Sequence, residues 1–232
     1  MNPQDRDGVR ALPIFADMAD TSFDSLLKAA YLQRFPAQVE LIIEGEPADF
    51  LYVVIDGRVE LYSESGGRET TMAMITPVST FLLAATVKAA PYLMSGRTLA
   101  PSRILLVPSE DVRRVLEIDH QFAKSITQEL AVCYRSVVKS VKNLKLRTSV
   151  ERVGNYVLRL QDKADGAHSV VLPVGKRTMA SMLGMTPENL SRAFGALQSH
   201  GMLVSGPEIE ITDREKLEAY SKPNPLIDDM ST

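Results

Sequence analysis

A carboxylate, a hydroxyl and a guanidinium stand at positions i, i+3 and i+4 within Thr186-Pro187-Glu188-Asn189-Leu190-Ser191-Arg192. On a helix, that spacing sets Glu188, Ser191 and Arg192 side by side on one face. A guanidinium pairs in bidentate fashion with O6 and N7 of guanine, and a carboxylate accepts from the amino group of cytosine. Arg192 and Glu188 together therefore have the chemistry to read a G·C pair on both strands. The plainer reading of the same spacing is a surface Glu–Arg pair worth about 0.2–0.5 kcal/mol.

The flanking residues favour base reading. Residues 178–183 form a short apolar-faced segment, with Met179, Met182 and Leu183 on its inner side, that ends at Gly184, where a left-handed backbone costs little. Thr186 is a good N-cap, Pro187 suits the first helical position, and Leu190, Phe194 and Leu197 recur at intervals of four and three. Residues 178–200 thus predict a helix-turn-helix, whose second helix offers its N-terminal residues to the major groove. Lys176 and Arg177, just before the motif, are placed to contact phosphates and set register without reading sequence, solvent exposure alone being the competing reading. A first helix over 150–161, a small strand over 170–173 and two short strands around Gly206-Pro207 complete a winged helix.

The elements that must carry this reader are legible upstream. Residues 119–147 contain neither Gly nor Pro, and Phe122, Ile126, Leu130, Cys133, Val137, Val141 and Leu144 recur every three or four residues. This predicts a helix of ~40 Å with a continuous apolar stripe. The stripe suits a two-chain coiled coil, and packing on the chain's own N-terminal domain is the alternative. Residues 33–62 alternate like strands, with Asp56-Gly57 as a hairpin turn, and further strands are expected at 70–75, 95–99 and 103–108, after a helix at 21–30. They predict a small β-barrel closed by a helix at 111–116. The fold class is α+β, divided into a sensor (1–118), a dimerisation helix (119–147) and a DNA-binding domain (148–232) whose tail from Ser221 reads as mobile.

Charge is distributed accordingly. Residues 1–117 hold 11 Lys and Arg against 16 Asp and Glu, whereas residues 118–205 hold 12 against 6. A net +6 on the second segment is the sign needed to displace counterions from a phosphate backbone. The single cysteine, Cys133, rules out an intramolecular disulfide and a four-cysteine cluster within one chain. Neither a membrane-length apolar run nor a basic-then-apolar leader is present, so a cytoplasmic protein is expected. His120, His168 and His200 form no paired metal motif, and no nucleophile–base pair or phosphate loop is evident, so no metal site and no catalysis are expected. The rival readings are a β-barrel enzyme with a small-molecule site and an interaction module whose helix-turn-helix is only a scaffold.

Over residues 12–218 this order of parts resembles the cyclic-AMP receptor protein and fumarate–nitrate reduction regulator (CRP/FNR) superfamily. The resemblance rests on Gly45-Glu46, Leu51-Tyr52 and Gly57-Arg58-Val59 in the β-roll, and on Met179 to Arg192 in the reader. Glu188-x-x-Ser191-Arg192 is similar to the signature of the fumarate–nitrate reduction branch. That resemblance implies a homodimer on double-stranded DNA, palindromes with TTGAT-type half-sites, backbone contacts from Lys176, Thr186 and Asn189, and RNA polymerase as a partner.

The sensor departs from the pattern. Where cyclic-nucleotide binders carry Gly-Glu and Arg-Ser pairs for ribose and phosphate, residues 79–86 and 91–94 carry neither, so a cyclic nucleotide such as cyclic AMP is not expected. The N-terminal cysteines of iron–sulfur members are missing too. Met72, Met74, Phe81, Leu82, Leu83, Tyr92, Leu93 and Met94 are instead either ordinary core or a pocket for a flat apolar effector, with haem a candidate by resemblance to nitric-oxide-responsive members. His120 is then the axial ligand to test. An effector that alters sensor packing on the long helices would change how two readers meet successive major grooves.

Overall fold

Strand alternation in the first half of the chain becomes two antiparallel four-stranded sheets. The structure, a computed structural model, describes residues 3–229. Two compact units meet at Val132 and Cys133, inside the long helix, whereas the sequence placed boundaries at the two ends of that helix. Each unit is described by itself.

The first unit opens with α1 (Pro3–Arg10), α2 (Pro13–Ala16) and α3 (Asp20–Ala29). Next come β1 (Tyr31–Phe35), β2 (Glu40–Ile42), β3 (Phe50–Asp56), β4 (Val59–Ser65), β5 (Arg68–Ile75) and β6 (Ser79–Phe81). The unit continues through α4 (Leu83–Lys88), β7 (Ser95–Thr98), β8 (Ser102–Pro108), α5 (Ser109–Ile118) and the first part of α6 (His120–Leu146). The strands order as β1-β8-β3-β6 and β2-β7-β4-β5, so the small barrel expected is the two-sheet β-roll that the resemblance implied.

Alternation explains why the central strands read as almost unbroken apolar runs. Leu51, Val53, Leu105 and Val107 face a core roofed by helices, where Phe15, Phe23, Phe122 and Ile126 join them. The intervening Tyr52, Val54, Ile104 and Leu106 face the space between the sheets. The Asp56-Gly57 turn forms as expected: Gly57 has φ +97°, and a Cβ there would lie 2.6 Å from the Pro101 carbonyl oxygen. Asp119 precedes α6, and its Oδ1 accepts from the Phe122 amide at 3.0 Å while its Oδ2 accepts from the Ala19 amide at 2.9 Å.

In the second unit, the rest of α6 leads through Arg147 and Thr148 into α7 (Ser149–Lys163), opened by a capping box between Thr148 and Glu151. Then follow β9 (Ser169–Val171), α8 (Lys176–Met182), α9 (Pro187–Gln198), β10 (Met202–Ser205), β11 (Glu208–Ile211), α10 (Arg214–Ser221) and α11 (Pro225–Asp228). The three strands order β10-β11-β9, and the wing turns between Ser205 and Glu208, as the Gly206-Pro207 pair predicted. Val153, Val157, Met179, Leu190, Phe194, Leu197, Met202, Ile209 and Leu217 form one core.

The tail departs from expectation. Residues 223–229 are ordered: α11 is capped by Asn224, Ile227 is buried, and Asp228 is ion-paired to Arg147 and Arg159. Charge pairing anchors a segment whose prolines suggested a free end. The sequence readings that touch Met1, Asn2 and residues 230–232 lie outside the described residues. Among the described residues, no helix is long and apolar enough to cross a membrane, and no group of three or more His, Cys, Asp or Glu side chains could hold a metal ion.

Candidate nucleic-acid interface

The reader is built around two helix ends. Helix α8 stops at the turn of Gly184, which has φ +63°, and the Met185 amide returns to the Ala180 carbonyl at 2.9 Å. Thr186 then caps α9, its Oγ1 accepting from the Asn189 amide at 3.3 Å, with Pro187 in the first helical position. Leu190, Ala193, Phe194 and Leu197 are buried, which leaves Glu188, Ser191 and Arg192 exposed together on the first turns of α9.

Their polar contacts are local. Ser191 Oγ donates to the Pro187 carbonyl at 3.0 Å, and Arg192 donates to Asn189 Oδ1. The Glu188 carboxyl is held below the usual carboxylate range, first by the hydrogen bond with the Thr186 side chain, then by its own backbone amide and, more weakly, by Arg192. An acceptor-only carboxylate and a guanidinium therefore sit at the positive end of a helix, aimed at solvent.

Lys176 and Arg177, expected just before the motif, are the first two residues of its first helix, α8, and both are exposed. Lys176 Nζ lies 5.6 Å from the Phe194 ring centroid, a cation–π contact that places it beside α9. Sequence reasoning missed Arg152. From α7, its Nε donates to the Leu183 carbonyl at 2.8 Å and its Nη2 to the Gly184 carbonyl at 3.4 Å, so it holds the turn between the two reader helices. Its partners are some thirty residues away, and no local pattern announces such a contact.

The long-helix stripe divides. Phe122 and Ile126 are buried in the first unit's core, Phe122 with no exposure at all, and Leu130 packs partly against them. Cys133, Val137, Val141 and Leu144 are exposed, Val137 at 60 %. The periodicity runs through all seven because each half of the helix needs an apolar face, whatever covers it. The first three cover their own domain.

The proposed effector set also disperses. Phe81, Tyr92, Leu82 and Met94 share the core between the sheets, with Phe81 stacked on Tyr52 at 5.1 Å and Tyr92 donating to the Phe50 carbonyl at 3.3 Å. Leu83 belongs to the other core, because α4 turns it toward the helices. Met74 is half-buried on β5, Met72 and Leu93 are 57 and 80 % exposed, and His120 is exposed at the first turn of α6. These residues do not gather around one volume, so as a set they do not fit a haem.

Known proteins carry the same two parts. Residues 151–220 match the Crp-like helix-turn-helix domain and residues 32–119 the cyclic nucleotide-binding domain. The cyclic AMP receptor protein of Thermus thermophilus is 24 % identical over 218 residues, covering 90 % of this chain and 97 % of its own. The structure of FixK2 from Bradyrhizobium japonicum aligns with a TM-score of 0.69 at 26 % identity, over 82 % of this chain and 96 % of its own. That of DNR from Pseudomonas aeruginosa gives 0.52 at 24 % identity, over 95 and 99 %, a likeness of fold.

A β-roll and a winged helix-turn-helix on one long helix define a DNA-binding transcription regulator. Within that class, the chain belongs to the CRP/FNR family. Its relatives are transcription regulators rather than enzymes.

Proposed function

We propose that this regulator binds palindromes of TTGAT-type half-sites as a homodimer, reading bases through Glu188, Ser191 and Arg192, and that its β-roll responds to an effector other than cyclic AMP. The observation that carries the reading is the solvent-facing cluster of those three side chains on the capped first turns of α9. Lys176, Arg177, Thr186 and Asn189 hold the DNA backbone around it. The exposed apolar residues Val137 and Val141 give the dimer its contact surface, as two-chain helix packing requires. The reading further places the protein in the cytoplasm, with RNA polymerase as its partner at promoters.

Support for an effector other than cyclic AMP comes from the roll's own residues. The segment at β6 and α4 carries Phe81, Leu82 and Leu83 and no Gly-Glu or Arg-Ser pair to hold a ribose and a cyclic phosphate. The cation on β7, Arg97, is already engaged by Glu60 at 2.8 Å and Glu69 at 2.6 Å.

The test is binding of the purified protein to a labelled palindrome and to one with mutated half-sites, at one fixed salt concentration. Arg192→Ala is expected to lose ~1–3 kcal/mol of discrimination between them. Equal binding of both duplexes by the unaltered protein would discard the half-site assignment. Binding that discriminates but ignores Arg192 would favour a helix-turn-helix acting as a scaffold.

A further inference from the structure

Only Arg147 and Thr148 separate α6 from α7, so the direction in which the long helix hands over to the winged domain is set at one corner. Arg147 points into that corner and is nearly buried, its side chain 6 % exposed. Its Nη1 and Nη2 donate to the two carboxylate oxygens of Asp228 at 2.7 and 2.5 Å. Arg159, ten residues along α7, donates to the same carboxylate at 2.8 Å. The Asn224 amide fills the remaining acceptor position at 2.8 Å, so α11 holds Asp228 in place through its own N-terminal turn.

We propose that Asp228 is a positioning residue for DNA binding: it clasps the end of the long helix to α7 and thereby fixes the separation at which two readers meet the duplex. The proposal rests on the reading of this protein as a dimeric DNA binder. Two guanidinium groups, one from the link between α6 and α7 and one from α7, converge on one largely buried anion. Without that anion they repel one another in a place where water screens them poorly, and the corner opens. Secondary contacts run along the same seam: Lys142 Nζ reaches the Leu226 carbonyl at 3.4 Å, and Lys139 donates to the Asp229 carbonyl. Ile227 seats the segment by burial, so the tail is attached independently of the carboxylate it carries.

A reader on a fixed corner tolerates one separation between half-sites, because successive major grooves face one side of the duplex only every ~34–36 Å. The experiment therefore measures spacing separately from sequence. Duplexes with the half-sites at their best spacing, and with one base pair inserted or removed, are titrated with the full-length protein, with Asp228→Asn and with a chain ending at Lys222. Asp228→Asn keeps the shape and removes the charge.

The expected result is a roughly tenfold smaller preference for the best spacing in both variants, with discrimination against mutated half-sites unchanged. Retained spacing preference overturns the proposal. So does a parallel loss of spacing and sequence preference, which marks general loosening. Should the unaltered protein prefer no palindrome at all, the functional reading fails, and amide hydrogen exchange of the free protein decides the clasp. Faster exchange confined to residues 143–152 in Asp228→Asn supports it, and unchanged exchange overturns it.

Discussion

Leu144, near the end of the long helix, lies against Gly184, in the turn between the reader helices: a Cβ built on Gly184 would come within 2.6 Å of Leu144 Cδ2. One member of the apolar stripe thus covers the turn that aims α9. Gly184 also has φ +63°, where an L side chain is strained. Gly184→Ala is expected to cost about 1–2 kcal/mol of stability, measured by chemical denaturation. Most of that is backbone strain, since the end of a leucine can swing aside. Combining it with Leu144→Ala should recover only the smaller, steric part. A neutral Gly184→Ala would show that the turn tolerates a Cβ.

The division of the stripe predicts two kinds of defect from one helix. Phe122 stacks on Phe15 at 6.1 Å inside a closed core, so Phe122→Ala should destabilise the protein by about 3–5 kcal/mol. Val137 is exposed on a single chain, and Val137→Asp should leave each chain folded but weaken association. Sedimentation at several concentrations, with circular dichroism on the same samples, separates the two. If Val137→Asp proves as dimeric as the parent, the dimer surface lies elsewhere.

How far the sequence reaches is clear from these residues. The reader was legible because its signals are local: Thr186, Pro187 and Gly184 each act on neighbours within a turn, and the structure places the helix ends where they predicted. The central strands and the hairpin at Gly57 were legible for the same reason. Periodicity, by contrast, reports that a face is apolar and not what covers it, so Phe122 and Val137 look alike in sequence. Apolar composition misled in the roll, where α4 sends Leu83 into one core while β6 sends Phe81 into the other. Arg152 and Asp228 find partners by tertiary contact, and no spacing rule reaches that far.

Lys176 and Arg192 should separate in their dependence on salt. Lys176 Nζ sits over the Phe194 ring at the flank of α9, suited to a phosphate rather than a base edge. Lys176→Ala is expected to weaken binding to all duplexes alike and to reduce the slope of log K against log salt by about 1, leaving sequence discrimination intact. Arg192→Ala should lose discrimination. Titrations at four or five salt concentrations measure both quantities, and a Lys176→Ala variant with altered base preference would reassign that side chain to base reading.

Acid should loosen the clasp at Asp228. Burial alone raises the pKa of this carboxyl, but hydrogen bonds from Arg147 and from the Asn224 amide, together with the charges of Arg147 and Arg159, outweigh it and carry the group below the ordinary carboxylate range. A depressed native pKa means that folding favours the ionised form. The resulting stabilisation is complete above the unfolded value, about 3.9, and is lost as pH falls from there through the lower native value. Stability measured by denaturant from pH 7 down to pH 2.5 should therefore fall more steeply below about pH 4 in the parent than in Asp228→Asn, which has no proton to take up there. At neutral pH the order is fixed by charge: the variant is the less stable protein, because Arg147 and Arg159 keep their proximity without their anion. Identical acid slopes for parent and variant would mean that the carboxylate contributes nothing to the folded state, and the corner between α6 and α7 would then have to be held by its other contacts, among them the Thr148–Glu151 cap, the Arg152 bond to the Arg147 carbonyl and the Arg147 bond to Asn143 Oδ1.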